Sequence, residues 1–296
     1  MDKRLIIYGR LFEMLGGHFL SKIVLPSCKV RVTYTHGISN ARMSSFSNIV
    51  QHLNNLGSFL SPEMFFSHLS NNHHLNGLNF LMTFDDGLLS SYEATKKILD
   101  PLGIKAIFFI PTAILDIKND EDMRHFAAER FFMVSKREAR SLLPYEYRFM
   151  TEEHLKQLSS DGHMICPHTH NHVFLSDIND DSSAIAELIK PKQILENILQ
   201  KKIEAFSFPV GTEKQVNSFS YNIIRKNYKY CFTALNGCVN PSSNAYYLCR
   251  NNIPADATIS YIDMVMKGIY DLYYLRKISL LKKTILTEAQ EAKKLL

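Results

Sequence analysis

Three absences narrow the field before any motif is read. No apolar run approaches the roughly 18–20 residues of a membrane span. Leu5-Ile6-Ile7-Tyr8 comes nearest, and Gly9-Arg10 and Glu13 interrupt it. A charged start, long apolar core and small-residue cleavage site do not occur in succession, so a cleaved leader is not expected. The five cysteines, Cys28, Cys166, Cys231, Cys238 and Cys249, are odd in number and contain no C-x-x-C pair. That argues against a disulfide framework and predicts free thiols in a cytoplasmic compartment. Cys166, two residues before a histidine, reads as a small buried strand residue rather than a soft ligand. No basic block exists either. The 34 basic and 29 acidic residues leave a net charge of +5 spread along the chain, which gives no indication of nucleic-acid binding. A cytoplasmic protein follows, with peripheral contact to the inner face of a membrane as the variant reading.

What is present is a large apolar fraction and a regular alternation. With 296 residues, 46% of them hydrophobic, the chain can bury the core of one barrel-sized domain. Residues 1–28 read as an amphipathic helical segment, with Leu11, Phe12, Leu15, Phe19 and Leu20 on one side, packed on a domain of residues 29–270. Residues 271–296 read as a basic amphipathic helix, Lys282-Lys283 to Lys293-Lys294 at its end, that caps the barrel or touches a membrane. Between them, strand-like runs (30–34, 105–112, 205–208, 230–233, 246–253) alternate with helical spacing. Phe46, Ile49, Val50, Leu53 and Leu56 give one helix, and Ser61-Pro62 starts another with Ser as N-cap. Residues 115–148 break the rhythm as a charged helical excursion, a lid or a specificity insert. The pattern is that of an α/β protein with parallel crossovers.

The chain is organised around Phe80-Leu81-Met82-Thr83-Phe84-Asp85-Asp86-Gly87, an apolar strand ending in two carboxylates and a glycine. Adjacent carboxylates at the end of a buried strand repel each other and lose solvation. A tight turn accommodates Asp-Gly, but a cation or a proton-transfer task gives a stronger reason for the pair. Downstream, Gly162-His163-Met164-Ile165-Cys166-Pro167 leads into His168-Thr169-His170-Asn171-His172. Imidazole nitrogens favour zinc and similar ions, and a carboxylate completes a facial set. The two motifs together read as a His-His-Asp site at strand C-termini, where parallel barrels place their chemistry.

Thr83-Phe84-Asp85-Asp86-Gly87 and His168-Thr169-x-x-His172 resemble the first two motifs of the polysaccharide deacetylase family, the NodB-type homology domain. Val32–Ile38 is similar to that family's first strand, residues 149–163 to the helix before its histidine motif, and Phe206-Ser207-Phe208-Pro209-Val210-Gly211 to its third motif. The resemblance spans about residues 30–255 and implies a distorted (β/α) barrel with fewer than eight regular strands. It implies Asp85 as catalytic base and Asp86, His168 and His172 as ligands of one divalent ion, zinc by preference. Thr169 falls at the usual hydroxyl position. Pro209, Val210 and Gly211 fall at the oxyanion and substrate turn, with the Val210 N–H lining it.

The expected activity is removal of an acetyl (acyl) group from an N-acetylated sugar, as a small-molecule or lipid-linked precursor in bacterial cell-envelope polysaccharide synthesis. An ion held by Asp86, His168 and His172 would polarise the carbonyl and acidify a water, whose proton Asp85 takes. The alternatives are an amidohydrolase acting on a linear or cyclic non-sugar amide, and a carbohydrate-binding homologue with weakened catalysis. Three departures from the family pattern bear on the choice. Ser207 stands where many members carry an arginine that holds the base. No tryptophan occurs to supply the fourth motif. Leu248-Cys249-Arg250 stands where a Leu-x-His acid is usual, putting Arg250 in place of an acid. His36, His163 and His170 are the candidate proton donors, and His36 and Arg250 the candidate substrate contacts.

Overall fold

A computed structural model describes residues 28–70 and 74–292, with side chains as far as residue 285. The N-terminal amphipathic segment, His73 and the last lysine pair lie outside the described residues. The strands are β1 (Val30–Thr35), β2 (Ser58–Phe59), β3 (Asn79–Phe84), β4 (Ala106–Ile110), β5 (Met164–Pro167), β6 (Ala205–Ser207), β7 (Tyr230–Phe232) and β8 (Asn251–Asn252). One parallel sheet runs β5-β4-β3-β1-β8, with β2 beside the start of β3, and β6 and β7 form a second parallel pair. A parallel bridge from Phe232 to Leu248, just ahead of β8, joins the two. The result is an incompletely laddered barrel of the α/β class.

Every residue of β3 and β4 is buried, as expected of strands covered on both faces by crossover connections. Phe84 stacks on Phe108 with ring centroids 5.0 Å apart, and Phe109 reaches Phe232 of the second sheet at 5.4 Å. Aromatic side chains thus fill the gap where backbone pairing stops.

Helices α1 (Met43–Leu56) and α2 (Pro62–Leu69) follow the sequence pattern closely. The first buries Phe46, Ile49, Val50 and Leu53, and in the second Ser61 Oγ accepts the Met64 N–H at 3.2 Å. After β3 comes α3 (Leu89–Ala94), continued by a π turn at Thr95–Leu99. The excursion is three short helices, α4 (Asp120–Arg130), α5 (Lys136–Ala139) and α6 (Pro144–Tyr147). Next are α7 (Glu152–Ser160), α8 (Asp181–Ala184), a second π turn at Ile185–Ile189 and α9 (Lys190–Leu199). Each π turn lies just ahead of a proline, Pro101 or Pro191. A proline has no N–H to give the carbonyl four residues back, and its ring crowds that carbonyl, so the helix widens there.

The chain closes with α10 (Ser218–Asn227), α11 (Ile259–Met266) and α12 (Asp271–Ala292). The long strand expected over 246–253 shrinks to β8 because its amides are used otherwise. Leu248 N–H goes to Cys231 and Arg250 N–H to Leu235. Gly268, with φ of 75°, ends α11 and separates it from the C-terminal helix. The following helix is pinned by a buried pair, both Asp271 oxygens accepting from Arg31 Nη1 at 2.7–2.8 Å.

The free-thiol expectation is overturned. Cys28 and Cys238 form a disulfide across a sequence separation of 210 residues, leaving Cys166, Cys231 and Cys249 free. An antiparallel bridge between Val30 and Val239 brings the pair together, a contact no local spacing announces. The thiol argument for a reducing compartment falls with it, since disulfides persist in oxidising surroundings. Titration of the denatured protein is expected to count three thiols before reduction and five after; five before reduction would refute the pairing. Among the described residues, no helix is long and apolar enough to cross a membrane.

Candidate active site

Strands β1, β3 and β5 deliver their C-terminal ends to one side of the sheet, and the motif residues follow directly. Asp85 N–H bonds to Thr35 O at 3.1 Å, and His168 N–H to Ile110 O at 3.0 Å, so both motifs are tied to the neighbouring strand. Gly87 is needed at the turn. Its φ is 64°, and a Cβ there would lie 2.5 Å from Ile114 Cδ1. Among the described non-glycine residues with positive φ are Asp86 (71°), Thr169 (59°), His172 (53°) and Val210 (59°). All four belong to the expected site motifs. Such backbone costs of order 1–3 kcal/mol each and persists where surrounding structure enforces it.

Asp86, His168 and His172 converge, all buried, with one ligand atom from each within 4.8 Å of the others. Asp86 Oδ1 lies 3.3 Å from His172 Nε2 and 3.9 Å from His168 Nε2. The tautomers follow from the opposite ring nitrogens. His168 Nδ1 donates to Ser207 O at 2.8 Å and His172 Nδ1 to Arg130 O at 2.9 Å, because a backbone carbonyl can only accept. In the neutral rings both Nε2 lone pairs therefore face the carboxylate. Burial pushes His168 down to about 4, which keeps its ring neutral around pH 7. Among the described residues, Asp86 Oδ1 is buried without a hydrogen-bond partner. Three electron-rich atoms facing one another fit a divalent cation, and they repel without one.

Asp85 sits beside this cluster and is held differently. Arg250 Nη1 and Nη2 donate to its two oxygens at 2.6 and 2.8 Å, while the same guanidinium reaches Thr83 Oγ1 and Thr233 O. The arginine lies between the rings of Tyr34 and Phe109, 4.8 and 5.1 Å from their centroids. Burial opposes ionisation of Asp85, but the guanidinium, helped by His168, holds the carboxyl below its ordinary range. Arg250 is therefore the ion-pair partner of Asp85, its guanidinium engaged there rather than free to act as an acid or substrate contact. The arginine absent at Ser207 is supplied from the other end of the chain.

The cavity holding these groups measures about 440 Å³, and His36, Arg42, Phe131, Phe132, Tyr145 and Val210 are among its walls. His36 is half exposed, its Nε2 4.0 Å from Asp86 Oδ2. The other candidate donors are placed elsewhere. His163 accepts the Ala106 N–H on Nδ1 and so donates to Asp100 from Nε2, at 3.1 and 2.9 Å. His170 bonds Thr112 Oγ1 at 2.8 Å and is not part of the cavity wall. Thr169 is fully buried, its Oγ1 accepting the Val173 N–H, so its hydroxyl caps the loop and does not line the cavity. Of the Pro209-Val210-Gly211 turn only Val210 reaches the cavity, and among the described residues its N–H has no hydrogen-bond partner. Sequence reading missed Phe131 and Phe132. Phe131 meets the His172 ring edge-on at 4.9 Å, bringing the excursion into the site.

Residues 76–226 match the polysaccharide deacetylase family, a little over half of the chain. The chain belongs to this family. Arg250 lies beyond the matched segment. No curated protein matches the sequence. Among solved structures, the Streptococcus pyogenes deacetylase PplD in complex with acetate is similar at 20% identity and TM-score 0.64, covering 81% of this chain and 99% of that one. IcaB from Ammonifex degensii is similar at 19% identity and TM-score 0.62, covering 81% and 96%. A de-N-acetylase from Aggregatibacter actinomycetemcomitans follows at 14% and 0.59, covering 80% and 98%. At these identities the likeness is one of fold.

Proposed function

We propose that this protein is a metal-dependent deacetylase that hydrolyses the N-acetyl group of an amino sugar in a glycan or glycan precursor. One observation carries the reading. Asp86 Oδ1, buried and among the described residues without a hydrogen-bond partner, faces the Nε2 atoms of His168 and His172 beside a second carboxylate fixed by an arginine. A divalent ion, zinc by ligand preference, would there supply Lewis-acid polarisation of the carbonyl and a water of lowered pKa. The chain's own residues supply the rest. Asp85 accepts the proton of the attacking water on a lone pair not engaged by Arg250. The Val210 N–H, turned into the cavity by its positive φ, offers a donor to the developing oxyanion. His36, half exposed at the mouth, is the proton donor to the departing amine.

Cavity size and walls support a sugar residue as the bound unit. The volume lies within the range of small-ligand sites, roughly 300–1,000 Å³, and Phe131 and Phe132 offer apolar faces for a pyranose ring. The remainder of a lipid-linked or polymeric substrate would extend outside. The disulfide favours a compartment that keeps Cys28 and Cys238 oxidised over the inner membrane face.

The test is His168→Ala, measured for metal content and for acetate release from N-acetylglucosamine oligomers. Loss of both, with unchanged circular dichroism, is expected. A variant that keeps stoichiometric metal would remove His168 from the ligand set, and a fully loaded wild-type protein inactive on every N-acetylated sugar would favour the binding-protein alternative.

A further inference from the structure

The loop joining the two histidines holds a backbone shape that its residues do not favour. Thr169, a β-branched residue, and His172 both sit at positive φ, and the spacing of the two Nε2 atoms depends on their staying there. The 3-10 turn after β4 (Thr112–Asp116) holds one side of this loop, Thr112 N–H donating to Thr169 O and Ala113 N–H to His170 O. Its crown is held by Glu187. Oε2 of this glutamate accepts the backbone N–H groups of His170 and Asn171 at 3.0 and 2.9 Å, and Oε1 accepts Asn171 Nδ2 at 2.6 Å.

Glu187 is an expensive way to tie a loop. Its side chain is buried, with 8% of the residue exposed, and among the described residues no ion pair to it is formed. Backbone and amide dipoles alone offset the loss of water around its charge. It also stands on the π turn Ile185–Ile189, at the residue whose carbonyl Pro191 leaves without its usual donor. That extra residue in the turn is a distortion of a kind often found where a helix serves a functional site.

We propose that Glu187 is a positioning residue of the metal centre, fixing the His168–His172 loop in the geometry in which both imidazoles meet Asp86. The proposal rests on the metal reading above, and the experiment separates the two. Metal-free wild type, Glu187→Gln and Asn171→Ala are titrated with Zn²⁺ against a chromophoric chelator, and the melting temperature of each is recorded without metal. Gln keeps the volume but presents an N–H₂ where one carboxylate oxygen accepted. Its expected effect is the one typical of a lost outer partner, about 10- to 100-fold weaker zinc binding. Turnover should return at saturating zinc with KM unchanged, which a merely structural role would not produce. Asn171→Ala removes only the Nδ2 bond and is expected to weaken binding by about 3- to 10-fold. It decides the matter if Glu187→Gln does not fold. Wild-type zinc affinity in the folded variants would overturn the clamp alone. A wild-type protein that binds no zinc would overturn the metal centre and the clamp together.

Discussion

Arg250→Met is expected to lose about 3–5 kcal/mol of stability at neutral pH, the usual cost of removing one member of a buried ion pair. The pair is almost wholly inaccessible, with side chains 1% and 5% exposed. The arginine removed also held Thr83 Oγ1 and Thr233 O, so methionine restores the volume and none of the bonds. The pH dependence gives the effect its signature. In the wild-type protein Asp85 has a folded pKa below its unfolded one, so the pair's contribution is present above the unfolded value, near 3.9, and lost as pH falls through the folded value. Without the guanidinium, burial dominates and the folded pKa rises. The penalty in the variant is then full at pH 7.5 and shrinks as Asp85 takes up a proton on acidification. Urea unfolding of metal-free protein at pH 7.5 and 5 would show it. Adding Asp85→Leu to Arg250→Met should recover much of the loss, because the unpaired charge is gone. A variant as stable as wild type at neutral pH would mean that Arg250 does not secure the base.

That pair also marks the limit of what the sequence discloses. The acidic turn and the histidine loop were legible because each is a short motif closing an apolar strand, and parallel strands bring their C-termini to the same side. Asp85, Asp86, His168 and His172 therefore meet wherever the crossover pattern holds. Arg250 joins them from 165 residues away through a stretch that is barely a strand, where no periodicity marks the direction of its side chain. The Cys28–Cys238 bond escaped for the same reason, depending on one bridge between distant segments. Thr169 shows a subtler failure. A hydroxyl beside a ligand suggests substrate contact, but at φ 59° its Oγ1 turns to the Val173 N–H instead. Residues 115–148 read from composition only as a charged helical excursion, a lid or a specificity insert. Its charges are largely exposed, while the apolar Phe131 and the Arg130 carbonyl reach His172. Composition averages over such a segment and hides the residues that matter.

Asp85→Asn is expected to lower turnover by about two to four orders of magnitude, the range for a general base, while leaving metal binding stoichiometric. The two neighbouring acids separate in this experiment. Asp86 faces the imidazole nitrogens, and its removal should cost metal and turnover together. Asp85 faces Arg250, and both its oxygens are already engaged by that guanidinium. Each carboxylate oxygen still has a second lone pair, so the group can accept a proton without releasing the arginine. Held below its ordinary range, it is a weak base. As the proposed base it would need a water whose own pKa is lowered, and it shares a cavity with the Asp86–His168–His172 cluster that would hold the ion supplying one. Asparagine keeps the shape but not the charge, and sets an N–H₂ group against a guanidinium N–H, leaving the buried Arg250 without its counter-charge at the same cost of about 3–5 kcal/mol. Kinetics should therefore be taken well below the variant's melting temperature, on preparations whose metal content has been measured. The fall is expected in kcat, with KM nearly unchanged, because Asp85 acts on the water and not on the sugar. Turnover at the wild-type rate would make Asp85 a structural partner of Arg250, and the base would then be sought first at His36, whose half-exposed ring stands 4.0 Å from Asp86.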